Sequence, residues 1–96
     1  MRVLYIEDSS ADADLARRVL ARSAPQVELT HADTLARGYE YLAESEPFDL
    51  VLCDLALPDG SGLEVLSHVR ENGLPIAVVM LTGSGDQDSA VAALKA

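Results

Sequence analysis

Basic side chains are scarce in this chain. Seven Lys and Arg stand against 16 Asp and Glu, and the 96 residues carry a formal charge of -9. Duplex nucleic acid and phospholipid headgroups both reward basic patches, so neither is expected as a direct partner. A single cysteine, Cys53, excludes an internal disulfide framework and fits a reducing compartment. Set inside an apolar run, it reads as a small buried hydrophobe. No apolar stretch approaches the roughly 18 residues a membrane-spanning helix needs. Met1-Arg2-Val3-Leu4-Tyr5-Ile6 runs straight into a strand and is not a signal peptide. A cytoplasmic protein is therefore expected. No Cys and His occur at metal-ligand spacing, and His31 and His68 read as ordinary surface residues. Linkers, repeats and low-complexity segments are also missing, so residues 1–96 read as one small domain. The 49% hydrophobic content supports a core, although so short a chain buries a smaller fraction of its surface than a larger domain does.

What is present is an alternation of strand and helix signals. Arg2 to Ile6 is an apolar strand ending at Glu7-Asp8. Ser9 or Ser10 can cap a helix with Ala11, Leu15 and Val19 along one row, Ala16 and Leu20 beside them, and Arg17, Arg18 and Arg22 late, where cations suit the helix dipole. Pro25 ends it. Gln26 to His31 alternates as a half-exposed strand does, Asp33 can cap a second helix bearing Leu35, Tyr39 and Leu42, and Pro47 closes that unit. Phe48 to Asp54 is an apolar run that delivers one carboxylate to its end. Ser61-Gly62-Leu63-Glu64 has the form of a capping box for a third helix with Leu63, Leu66 and Val69 on one side. Asn72-Gly73 followed by Pro75 stops that helix. Ile76 to Leu81 is continuously apolar, as parallel strands covered on both faces are. Thr82-Gly83-Ser84-Gly85 leads to a last helix from about Asp86, carrying Val91 and Leu94. Four strand–helix units predict a parallel α/β sheet with right-handed crossovers. The sequence stops inside the last helix, so a C-terminally truncated domain is expected.

Three of these strands end in polar groups: Glu7-Asp8, Asp54 and Thr82. Parallel strands point the same way, and ligands of open α/β sheets bind outside the carboxyl ends. The carboxylates meeting there repel one another unless a cation joins them. Only oxygen donors are available, which favours a hard cation such as Mg²⁺. A carboxylate beside Mg²⁺ can attack a phosphoryl group and become an acyl phosphate, and the Thr82 hydroxyl can hydrogen-bond a phosphoryl oxygen.

Taken together, Glu7-Asp8, Asp54, Leu57-Pro58-Asp59-Gly60-Ser61-Gly62 and Leu81-Thr82-Gly83 resemble the response-regulator receiver domain of two-component signalling. The resemblance implies a flavodoxin-like sheet of order 2-1-3-4-5, here cut to four strand–helix units. It implies that Asp54 takes a phosphoryl group from a sensor histidine kinase or phosphotransfer protein. It implies Mg²⁺ ligation by Asp8, Asp54 and the Ala56 carbonyl, with Glu7 acting through water or as an outer ligand. Thr82 would be the phosphoryl-binding switch residue, and Ala56 and Ser84 would tune phosphoryl lifetime. Such a domain is a signalling module and not an enzyme.

One departure from the family pattern stands out. The family's fifth strand ends in a lysine that pairs with the phosphoryl group, whereas the only lysine here, Lys95, lies in the last helix. Slow or incomplete labelling of Asp54 is therefore expected. Ile76 to Leu81 becomes a sheet edge with no Lys, Pro or charge to blunt it, so a homodimer through that edge is expected. The alternative reading is a phosphorylation-impaired receiver fragment serving as a dimerisation or protein-binding module. A third reading, a hydrolase of the haloacid-dehalogenase type, requires Asp-x-Asp, and Asp54-Leu55-Ala56 lacks the second Asp.

Overall fold

A computed structural model describes residues 1–44, 47–54 and 56–81. The expected last helix, Thr82, Ser84 and Lys95 lie outside the described residues. The elements run β1 (Arg2–Ile6), α1 (Ser10–Ser23), β2 (Glu28–Ala32), α2 (Leu35–Leu42), β3 (Leu50–Asp54), β4 (Ala56–Leu57), β5 (Gly60–Ser61), α3 (Gly62–Glu71) and β6 (Ala77–Leu81). Four strands form one parallel sheet in the order β2-β1-β3-β6. β4 and β5 form a separate two-stranded antiparallel hairpin that the sequence reading does not anticipate. The parallel sheet and its flanking helices are those of the flavodoxin-like expectation.

β1 and β3 are central, so both their faces are covered, and the stretches Val3–Ile6 and Leu50–Cys53 are apolar at every step. Val3, Tyr5, Leu50 and Leu52 pack against Ala13 and Ala16 of α1 on one face. Leu4, Ile6, Val51 and Cys53 pack on the other face with Leu35 of α2 and Val65 and Val69 of α3. Each large apolar side chain moved from water into these layers contributes roughly 1.5–3 kcal/mol. Cys53 is fully buried, as its place in the apolar run implies.

Both outer helices are rotated from their expected faces. α1 buries Ala13, Ala16 and Leu20, while Leu15 and Val19 are 45% and 36% exposed. Two rows of this helix are apolar at helical spacing, and the row of small residues lets the helix lie closer on the sheet. α3 buries Gly62, Val65 and Val69, and Leu63 is 56% exposed. The cause is Gly62, whose Cα faces the Asp54 backbone oxygen and so turns the row 62-65-69 inward.

Chain ends of the elements follow local hydrogen-bond demands. The Ser9 hydroxyl caps α1 by accepting the Asp12 N–H at 3.2 Å. β2 begins at Glu28, later than Gln26, because the Val27 N–H is taken by the Ala24 carbonyl in a turn and pairing with β1 starts at Arg2–Glu28. Thr34, not Asp33, caps α2: its hydroxyl accepts the Arg37 N–H at 3.1 Å. Ser61 caps α3 through the Leu63 N–H, one residue short of the capping-box pattern. α3 ends as expected at Asn72-Gly73. Gly73 has φ +61°, its N–H reaches the Arg70 carbonyl, and the Leu74 N–H reaches the Val69 carbonyl. That pair of bonds is a Schellman closure, which favours glycine at the left-handed position.

Candidate metal and phosphoryl site

The sheet order places β1 between β2 and β3; the chain leaves β1 toward β2 and leaves β3 toward β6, in opposite directions across the sheet. The crevice outside the carboxyl ends of β1 and β3 is therefore the topological switch point, where ligands of this architecture bind. Glu7 and Asp8 follow β1, and Asp54 is the last residue of β3, paired with Leu81.

One carboxylate oxygen from each of Glu7, Asp8 and Asp54 lies within 4.8 Å of the others. Glu7 is buried, Asp54 half-buried and Asp8 exposed, so the cluster opens to solvent on the Asp8 side. Two oxygens on one Mg²⁺ at about 2.1 Å are at most about 4.2 Å apart. The observed spacing needs only a small inward movement or a bridging water to become ligation. The donors are all hard oxygens. The neighbouring Cys53 Sγ is not available as a soft ligand: it donates to the Asp54 carbonyl at 3.4 Å, and burial pushes its thiol up to about 12, with the Asp54 and Glu7 carboxylates adding to the rise. The residues present therefore fit a divalent hard cation.

Glu7 is held from several sides. Its N–H donates to the Ala32 carbonyl at 2.9 Å, its Oε1 accepts the Ser9 N–H at 3.2 Å, and its carbonyl accepts from His31 Nε2 at 2.6 Å. His31 is thus half-buried and bonded to a site residue, not the ordinary surface residue its isolation in the sequence suggests. His68 likewise lies half-buried, its ring 4.7 Å from that of Tyr39.

Beyond Asp54 the chain folds into the β4–β5 hairpin, in which Ala56 pairs with Ser61 and Leu57 with Gly60. This hairpin is tied to a helix on the far side of the turn. The Asp59 carboxylate accepts the Leu35 N–H at 2.9 Å and the Ala36 N–H at 3.1 Å, and these two bonds hold its carboxyl below the ordinary value. Nothing in the sequence marks this, because donors and acceptor are 24 and 23 residues apart. Gly62 carried a usable signal: a glycine in the first turn of a helix is costly unless a backbone comes close. A Cβ there would lie 2.5 Å from the Asp54 oxygen.

Comparison with known families decides the matter: the receiver-domain model of response regulators matches residues 3–96. The chain belongs to the response regulator receiver domain family. It is 35% identical over 95 residues to the response regulator protein PilR of Pseudomonas aeruginosa, covering 99% of this chain and 21% of PilR. The receiver domain therefore spans about a fifth of that relative's length. Among solved structures, the signal receiver domain of a Luxo repressor protein from Vibrio parahaemolyticus superposes with a TM-score of 0.77 at 32% identity, covering 98% of this chain and 70% of that one. The Mn(2+)-bound form of response regulator Rcp1 superposes with a TM-score of 0.75, also at 32% identity, covering 98% and 73%. Among the described residues no helix is long and apolar enough to cross a membrane.

Proposed function

We propose that residues 1–96 act as one phosphoacceptor domain, with Asp54 the residue that takes the phosphoryl group from a histidine kinase or phosphotransfer protein. The observation that carries this reading is the meeting of Glu7, Asp8 and Asp54 carboxylate oxygens within 4.8 Å at the switch point. Asp8, Asp54 and the Ala56 carbonyl would hold Mg²⁺, with Glu7 beside them. When bound, the cation supplies positive charge that offsets the phosphoryl oxygens. An Asp54 carboxylate oxygen attacks phosphorus, the bond from phosphorus to the donor nitrogen breaks, and the leaving imidazole takes a proton. Thr82 would donate to a phosphoryl oxygen, and Glu7 is the buried member of the cluster. The chain is then a modified acceptor and not a turnover enzyme. The Mn(2+)-bound structure of the 32% identical Rcp1 supports a divalent site of this kind. The net charge of -9 supports a protein partner over nucleic acid or anionic membrane, and a cytoplasmic setting goes with such partners. Peptide mapping after acetyl phosphate treatment tests the reading. A phosphoryl adduct on Asp54 that needs Mg²⁺ is expected, and an adduct elsewhere, or none on prolonged treatment, overturns it.

A second feature favours self-association of the 96-residue chain. β6 is the last strand of the sheet among the described residues, and Val78, Val79 and Met80 in it are only half-buried. A homodimer pairing Ile76–Leu81 edges is the arrangement that covers them. In that form the chain serves as a dimerisation or protein-binding module whether or not Asp54 is labelled efficiently.

A further inference from the structure

We infer that His31 is a positioning residue for the acidic site, fixing the Glu7 backbone where the β1–β2 ladder stops. The inference rests on the reading of Glu7, Asp8 and Asp54 as a divalent-cation site. Parallel pairing in this register joins Ile6 to Ala32, so Glu7 stands opposite Asp33. In that geometry the Glu7 N–H is given to the Ala32 carbonyl, as observed at 2.9 Å. Its carbonyl would next take the Thr34 N–H. Thr34, however, has left the strand to cap α2. The donor at the Glu7 carbonyl is instead His31 Nε2, at 2.6 Å. A carbonyl can only accept, so the hydrogen is on Nε2 in this contact.

The imidazole is itself well placed for this role. His31 is the register partner of Tyr5, a fully buried residue, and the two rings lie 6.4 Å apart. On the α1 side the ring borders a cleft of about 400 Å³ lined by Ser10, Asp14 and Arg17. The side chain thus acts as an extra rung of the ladder. It carries the strand geometry of β1 one residue further, to Glu7, from which the Ser9 N–H and the α1 cap follow. The position of the Glu7 carboxylate relative to Asp8 and Asp54 depends on that rung. Loss of a partner that orients a metal-binding residue commonly costs about ten- to hundredfold in affinity; an effect relayed through one peptide carbonyl belongs at the lower end.

The test is Mn²⁺ affinity of the 96-residue chain, read from the free-ion electron paramagnetic resonance signal, for the parent, His31→Leu, His31→Asn and His31→Gln. Glutamine places its amide nitrogen near the position of Nε2, and asparagine stops short of it. The expected result is about tenfold weaker binding for the Leu and Asn variants, with the Gln variant near the parent. If His31→Leu does not fold, the Asn and Gln pair decides. Equal affinity across the series overturns the inference, and so does a Gln variant as weak as the Asn variant, because ring packing would then be the cause. A parent that binds no Mn²⁺ instead overturns the cation-site reading beneath it, and this inference falls with it.

Discussion

The Asp59 carboxylate accepts the Leu35 N–H at 2.9 Å, joining the hairpin after Asp54 to the first turn of α2. With the Ala36 N–H on its other oxygen, and Thr34 serving Arg37, three of the helix's terminal donors are satisfied by side chains. The negative charge also sits at the positive end of the helix dipole. The loop that carries Ala56 is thereby anchored to a helix packed on β1.

This contact has a pH signature. Asp59 has its carboxyl depressed below the ordinary 3.8 by the two backbone N–H groups. A depressed folded-state value means the contact stabilises fully above the unfolded value and is lost as pH falls through the folded one. Asp59→Ala should therefore have a lower urea midpoint than the parent at pH 6, with the gap closing as pH falls below about 4. A gap that is constant from pH 6 to pH 3 would show that the carboxylate charge is not what matters.

Gly62→Ala should be disruptive. The added methyl would meet the Asp54 backbone oxygen at 2.5 Å and the Cys53 and Met80 sulfurs at 3.1 Å. A backbone oxygen in a central strand cannot swing aside, so α3 must shift, and overpacking of this kind costs about 1–3 kcal/mol. Gly38→Ala provides the contrast, since its Cβ would meet the tip of the Ile6 side chain and the helix gains propensity. Urea unfolding should rank Gly62→Ala well below Gly38→Ala.

The carboxylates of Glu7, Asp8 and Asp54 are gathered only in the folded chain, so Mg²⁺ binding at the proposed site should raise the melting temperature of the parent. At a hundredfold excess over Kd the gain is about 2.7 kcal/mol. Asp54→Asn removes one of three crowded charges, so in chelator it should melt higher than the parent and respond less to Mg²⁺. A lower melting temperature for Asp54→Asn in chelator would mean that repulsion is not the dominant effect at this rim.

Much of this was readable in advance. β1 is legible to the residue because both its faces are buried and its ends are marked by charge, and the α3 stop is legible because Gly73 is the residue a left-handed closure favours. The acidic site follows from strand direction alone, since parallel strands bring Glu7, Asp8 and Asp54 to one rim. Helix faces were less legible. In α1 both the Ala13-Ala16-Leu20 row and the Ala11-Leu15-Val19 row are apolar, and only contact with the sheet distinguishes them. Contacts distant in sequence left no mark at all: the Asp59 cap on α2 and the His31 bond to Glu7 both span more than 20 residues.

The β6 edge makes its own prediction. The 96-residue chain should be dimeric by light scattering at micromolar concentrations and should tighten with salt, because the charge of -9 opposes association and screening relieves it. Val78→Lys places a charge in the middle of the strand and should return the chain to a monomer. A parent that is monomeric at high micromolar concentration contradicts the edge-pairing arrangement.

The cation site itself is tested most directly by paramagnetic broadening of backbone amide signals on titration with Mn²⁺. A single site formed by the three carboxylates predicts that the resonances of Asp8, Asp54 and Ala56 broaden first and saturably, and that Asp54→Ala abolishes the effect. Broadening that instead spreads without saturation over exposed acidic residues such as Asp14, Glu40 and Glu71 would contradict a single site at the ends of β1 and β3.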